Sequence, residues 1–169
     1  MYNLRIFSPN KSCAPLRNLQ FNRRVFLRFG STTPLVSKFK YFELNSIEGV
    51  RMSSNKIIMK RIFDEQNVHH SNWISSDNPH LIINFFNKYK MLIAKHKRSS
   101  QGKNIYYIDT LESLMELLKT VNIKDFVFEK YCFFPSEYRV HVDKDHGCFY
   151  ACKKVLKEDA EVEWHKHFN

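Results

Sequence analysis

Met91-Leu92-Ile93-Ala94-Lys95-His96-Lys97-Arg98-Ser99-Ser100-Gln101-Gly102-Lys103-Asn104-Ile105-Tyr106-Tyr107-Ile108 is the stretch from which the fold of this chain is read. Met91 to Lys95 has the apolar run of a buried strand. Arg98 to Asn104 is a loop of small and charged residues, and Ile105 to Ile108 is the returning strand. Asp109 with Glu112 forms a capping box. It opens a helix that aligns Leu111, Leu114, Met115, Leu118 and Val121 on one face. Phe126 to Tyr131 reads as the next strand. Glu137 to Asp143 and Cys148 to Leu156 read as a hairpin around Lys144-Asp145-His146-Gly147. This order predicts an α+β lobe with a mostly antiparallel sheet and one or two packed helices.

Upstream, Leu4 to Phe7 and Val25 to Phe29 are strand-like and Gly30 to Pro34 is a loop, which gives residues 1–44 a short α/β character. Asn45 with Glu48 predicts a helix start. Ile58/Ile62 and Met59/Phe63, at i,i+4 spacing, predict a buried stripe, and Ser53-Ser54-Asn55 is expected to interrupt the helix. The predicted organisation is thus a short N-terminal α/β segment over 1–44, a helical lead-in over 45–90 and a main lobe over 91–169. Within the lead-in, residues 68–90 are polar and irregular. They hold an Asn78-Pro79 turn, a short helix from Leu81 to Tyr89, and His69, His70 and His80 as surface residues.

Composition bounds the rest. The 169 residues include 27 Lys and Arg against 17 Asp and Glu, a formal charge of +10, with 43% apolar and 15% aromatic residues. That is too apolar for a disordered chain, and no run has the roughly 18 apolar residues of a membrane helix. Asn3, Arg5, Asn10 and Lys11 break any signal-peptide core, so a cytoplasmic protein is expected. The positive residues are spread along the chain without a dense block. The charge admits nucleic acid, anionic surfaces or nucleotide phosphates and selects none. Cys148 and Cys152, with His141 and His146, have the residue types of a zinc site. However, strand alternation places both cysteines on one face about two pleats apart, and buried free thiols are expected for these two.

Three groups of residues can carry chemistry. The loop from Lys95 to Lys103 concentrates cations, hydroxyls and a glycine and can fold over phosphates, although it lacks the Walker A pattern; a solvated basic turn has the same composition. Lys95, at the end of an apolar strand, must snorkel, pair or meet an anion. Glu129-Lys130-Tyr131 ends another apolar strand, where backbone leaving its ladder can hydrogen-bond a flat base. Glu137, Arg139 and His141 alternate with Tyr138, Val140 and Val142, so a carboxylate, a guanidinium and an imidazole share one sheet face, and Lys153 on the partner strand is expected to join them.

In order, Lys56 after Ser-Ser-Asn, Lys95 with its Ser-Ser-Gln-Gly loop, Glu129-Lys130-Tyr131 and Glu137-Tyr138-Arg139 resemble the ATP-grasp family, in particular its bacteriophage-encoded members. The resemblance covers residues 25–157. It implies that Lys56 and Lys95 contact the phosphates of ATP. It places Ser99, Ser100 and Gly102 in the loop over the β- and γ-phosphates, and makes Glu129, Lys130 and Tyr131 the segment that reads adenine. By the same resemblance Glu137 approaches the ribose, and Arg139 and Lys153 act on the transferring phosphoryl group. It further implies carboxylate–amine ligase chemistry through an acyl phosphate, with ATP and Mg2+ as cofactors and an unnamed carboxylate and amine as substrates.

The family continues past the hairpin to strands that bear magnesium ligands. Here the corresponding region holds only Glu158, Asp159, Glu161 and Glu163, at a different spacing, so no metal ligand is assigned. The expectation is an ATP-binding domain in an incomplete or inactive form, or one completed by a second chain. Its location would be the host cytoplasm if it is phage-encoded. Two other readings stay open. One is a small basic protein of phage or mobile-element origin that binds single-stranded nucleic acid through stacking and phosphate contacts. The other is an inactive, self-associating protein partner.

Overall fold

The computed structural model describes the strand segments 5–6, 18–21 and 25–28, residue 32, and residues 42–99, 103–134, 136–143, 145 and 147–155. The chain divides into two compact units, Met1–His70 and Ser71–Asn169. Residues 71–90, which the sequence groups with the lead-in, therefore belong to the second unit. Among the described residues no helix is long and apolar enough to cross a membrane.

The first unit carries a four-stranded sheet in the order β1 (Arg5–Ile6), β2 (Asn18–Phe21), β3 (Val25–Arg28), β4 (Phe42–Leu44). The first two pairings are antiparallel and β3–β4 is parallel. Two helices follow, α1 (Ile47–Ser53) and α2 (Lys56–Glu65). The start of α1 corrects the expected cap. Asn45 takes a left-handed φ of 61°, which asparagine tolerates, and Ser46 becomes the cap, its Oγ accepting from Gly49 N at 3.0 Å. The break at Ser53-Ser54-Asn55 is present, and Asn55 caps α2 by accepting from Ile57 N and Ile58 N. The stripe of Ile58, Ile62, Met59 and Phe63 is only half-buried; the buried side chain of α2 is Lys60.

The second unit is built on the sheet order β5 (Trp73–Ile74), β8 (Phe126–Lys130), β6 (Leu92–His96), β7 (Ile105–Ile108), with every pairing antiparallel. Two helices, α3 (Pro79–Tyr89) and α4 (Leu111–Thr120), cover one face. Asn78 caps α3 with Pro79 at its first position, where a missing N–H costs nothing. The core gathers Ile82 and Phe86 of α3, Leu114 and Leu117 of α4, and Leu92, Ala94, Ile108, Phe126 and Phe128 of the sheet. The apolar face of α4 is rotated from the predicted one. Leu117 is buried, whereas Leu111 and Met115 remain 41% and 40% exposed.

The cap of α4 is also displaced by one residue. Thr110 is the extended residue that caps the helix, and its Oγ1 accepts from Ser113 N at 3.1 Å. Thr110→Ala is therefore expected to cost about 1 kcal/mol in urea unfolding, and Asp109→Ala much less. Equal losses would contradict this assignment.

β9 (Glu137–Asp143) and β10 (Gly147–Lys154) form the predicted hairpin, with Gly147 at a left-handed φ of 69°. A bulge at Phe149 shifts its register between Cys148 and Tyr150. Cys148 then pairs with Val142 and Cys152 with Arg139, which places the two cysteines on opposite faces rather than on one. Cys148 and Cys152 are free thiols and neither is buried, contrary to expectation; Cys132 is a half-buried free thiol, and Cys13 lies outside the described residues. Among the described residues no group of three His, Cys, Asp or Glu side chains could hold a metal ion.

Candidate functional site

Strand alternation divides the second sheet into two chemically different faces. Leu92 and Ala94 of β6 and Phe126 and Phe128 of β8 point into the core. Ile93 and Lys95, with Val127 and Glu129, take the other face, in the register Ile93 opposite Glu129 and Lys95 opposite Val127. Lys95 Nζ lies 3.2 Å from Glu129 Oε2, and Ser71 Oγ donates to that same oxygen at 2.9 Å. Glu129 is buried, and a buried carboxylate is tolerated only when it is paired and hydrogen-bonded. Lys95 remains partly open, so it anchors the pair while still reaching solvent.

Aromatic residues flank this pair. Trp73 sits opposite Glu129 on β5, and Tyr107 opposite Ile93 on β7. The Tyr131 ring meets Tyr107 edge-on at 5.0 Å, and the Tyr107 hydroxyl donates to Met91 Sδ at 3.4 Å. Burial first, then the charge of Asp109 and the neighbouring Tyr131, raises the pKa of Tyr107 above the usual phenol value. It therefore stays a neutral donor.

A second ion pair joins Lys97, just after β6, to Asp125, which closes the 3-10 turn Ile123–Asp125 before β8. The Lys97 hydrogen bond is the main cause holding Asp125 below the usual carboxylate pKa; partial burial opposes it, and the charges of Lys97, His96 and Lys124 add to it. With a depressed folded-state pKa, this interaction is fully present above the ordinary carboxylate pKa. It is lost as pH falls through the lowered value.

The structure distributes the remaining candidates. Lys56 is the first residue of α2, in the first unit. Ser99 folds back on the turn, its N and Oγ both donating to His96 O. Ser100 and Gly102 lie outside the described residues. Lys130 points to the helix side of the sheet, its Nζ 5.6 Å from the centre of the Tyr89 ring, so it can serve the Lys95 face only through its backbone. The N–H groups of Lys130 and Tyr131 are already committed, to Asn72 O and Met91 O. The backbone that leaves the ladder thus begins after Tyr131.

On the hairpin, Glu137, Arg139 and His141 alternate as expected, but Lys153 does not join them. It pairs with Tyr138, and directly opposite residues share a face, so Lys153 stands on the Tyr138 side. The position opposite Glu137 belongs to Lys154. His69 and His80 are exposed, whereas His70 is drawn in against Phe63 and lies 3.0 Å from Asp64.

Sequence reasoning missed Ser71, Trp73 and Asp125. Nothing local connects Ser71 to a carboxylate 58 positions away. The Trp73-Ile74 pair did carry a strand signal, an aromatic beside a β-branched residue, but at two residues it is too short to stand out from its polar surroundings.

No protein-family model and no curated protein matches the chain. Solved structures do match its fold. Carboxyaminoimidazole ribonucleotide synthase from Aspergillus clavatus, complexed with ATP, superposes at a TM-score of 0.57 with 14% identity, covering 70% of this chain and 33% of its own. The N5-carboxyaminoimidazole synthetase from Staphylococcus aureus, complexed with ADP, gives 0.59 and 16% over the same shares. D-alanyl-alanine synthetase A from Vibrio cholerae gives 0.57 and 13%, covering 84% of this chain and 50% of its own. These are ATP-grasp enzymes, and the fold of the chain is a partial ATP-grasp-like α+β fold. The chain spans about a third to a half of the length of these structures.

Proposed function

We propose that the chain binds ATP on the Lys95–Glu129 face of its second sheet, as the nucleotide-binding lobe of an ATP-dependent carboxylate–amine ligase. The observation that carries this reading is the buried Glu129 paired with a half-open Lys95 and flanked by Trp73, Tyr107 and Tyr131. A cation beside an aromatic-walled, partly apolar surface suits a flat base joined to a polyphosphate. In this reading Lys95 meets phosphates, with Ser99 in the turn that follows it. The Tyr131 ring at the end of the Glu129–Tyr131 segment and the backbone just beyond it hold adenine, and Glu137 reaches the ribose.

Arg139 stabilises the phosphoryl group as a carboxylate oxygen attacks the γ-phosphorus and ADP departs. An amine then attacks the acyl carbon and phosphate leaves. Lys153, on the opposite hairpin face, is no part of a shared clamp with Arg139. Magnesium belongs to this chemistry by analogy. The described residues supply no set of three metal-ligating side chains for it, and no step above depends on one.

Thermal unfolding with and without magnesium-ATP tests the reading, with a single-stranded oligonucleotide of about 20 nucleotides in a parallel arm. ATP at about a hundred times its Kd stabilises by about 2.7 kcal/mol, a shift of roughly 5–10 °C for a chain of this size. If neither ATP nor ADP shifts the melt at millimolar concentration, the reading fails. A shift with the oligonucleotide alone would instead support nucleic-acid binding.

A further inference from the structure

Lys97 continues the Ile93–Lys95 alternation one step beyond β6, and Asp125 continues that of Val127 and Glu129 one step before β8. Lys97 N donates to Asp125 O at 2.7 Å, so the ladder extends to this pair and brings both side chains to the Lys95 face. Two lysines thus stand two residues apart, one on β6 and one just past its end, about 7 Å apart at two residues' rise, each paired with an acid on β8 or at its threshold.

The two pairs differ in one respect. Glu129 is enclosed, whereas the Lys97 and Asp125 side chains keep 29% and 27% of their exposure. Asp125 also has a second donor, Asn122 Nδ2 at 3.2 Å from its Oδ2, which stays in place if the lysine departs. We propose that Lys97 is a second cation for the phosphates of the bound nucleotide, and that Asp125 is the counter-ion it leaves when the polyphosphate arrives. This rests on the ATP-binding reading above.

The physical basis is competition for one ammonium group. A polyphosphate with several negative charges attracts it more strongly than a single carboxylate, and a lysine on a four-carbon stem can change partners without backbone movement. Asp125 then acts against binding in two ways: it occupies Lys97, and its own charge repels the ligand. A static strut would behave oppositely, because removing its carboxylate would loosen the end of β6 and weaken binding.

Calorimetric titration of the unmodified chain, Lys97→Met and Asp125→Asn with ATP, AMP and inorganic tripolyphosphate separates these cases. Lys97→Met is expected to weaken ATP and tripolyphosphate about tenfold and to leave AMP unchanged. Asp125→Asn is expected to tighten ATP about threefold at low salt, and less as salt rises. Weaker ATP binding by Asp125→Asn, or an unchanged affinity in Lys97→Met, overturns the proposal while leaving the nucleotide site intact. An equal loss for ATP and AMP in Lys97→Met overturns it as well. If tripolyphosphate binds and responds to Lys97→Met while AMP does not bind and ATP is no tighter than tripolyphosphate, the phosphate contact stands and the adenine reading falls. If the unmodified chain binds neither ATP nor tripolyphosphate, both fall.

Discussion

Lys95→Ala is expected to remove nucleotide protection and to destabilise the second unit at the same time. Without the ammonium, Glu129 loses its opposite charge while remaining enclosed, with the Ser71 hydroxyl still donating to it. Breaking a fully buried pair from one side costs about 3–5 kcal/mol. Lys95 keeps 30% of its side-chain exposure, which moderates the loss to about 2–3 kcal/mol. Glu129→Gln should cost less, because the amide can still meet Ser71 and the freed Lys95 can turn to water. Urea unfolding of the two variants checks the order. A Lys95→Ala protein as stable as the original would show that the pair is incidental, and ATP protection that persists in it would remove Lys95 from the site.

Phe128→Ala is expected to have the largest effect on stability and little on binding. Phe128 is fully buried between the sheet and its two helices, and its ring lies 6.5 Å from that of Phe126. Truncating such a residue costs about 3–5 kcal/mol through lost transfer energy and the cavity left behind, a large share of the 5–15 kcal/mol typical of a native domain. The urea midpoint should fall accordingly. ATP affinity, measured at a temperature where the variant is folded, should stay within about twofold. A large loss of affinity in folded protein would mean that the two faces of the sheet are not independent.

The second unit was legible where periodicity had room to show. The β6 and β7 strands, the α4 helix, the β8 strand and the hairpin are each long enough for alternation or a 3.6 period to separate them from loop. The need of Lys95 for a partner was legible for a related reason, since a charge that closes an apolar strand must snorkel, pair or meet an anion; that Glu129 is the partner was not. What stayed hidden depends on single-residue choices or on distance. Asn45 and Asp109 are good caps in isolation, but each precedes another good cap, and the backbone selected Ser46 and Thr110. The bulge at Phe149 carries no composition signal, yet it alone decides which face Cys148 occupies. Ser71 reaches Glu129 only once β5 has paired with β8.

The two-sided sheet also sets a rule for how β8 can change. At positions 126 and 128 a residue answers to the helices, and at 127 and 129 to whatever meets the Lys95 face. Substitutions at neighbouring positions therefore fall under different selective pressures, and the Lys95 face can drift while the packing against the helices is kept. Changes in length have no such freedom. Deleting or inserting one residue between Phe126 and Glu129 exchanges the two sets, turning a carboxylate toward the core and a phenyl ring toward the Lys95 face. Variation along this strand should accumulate as replacements and almost never as gaps.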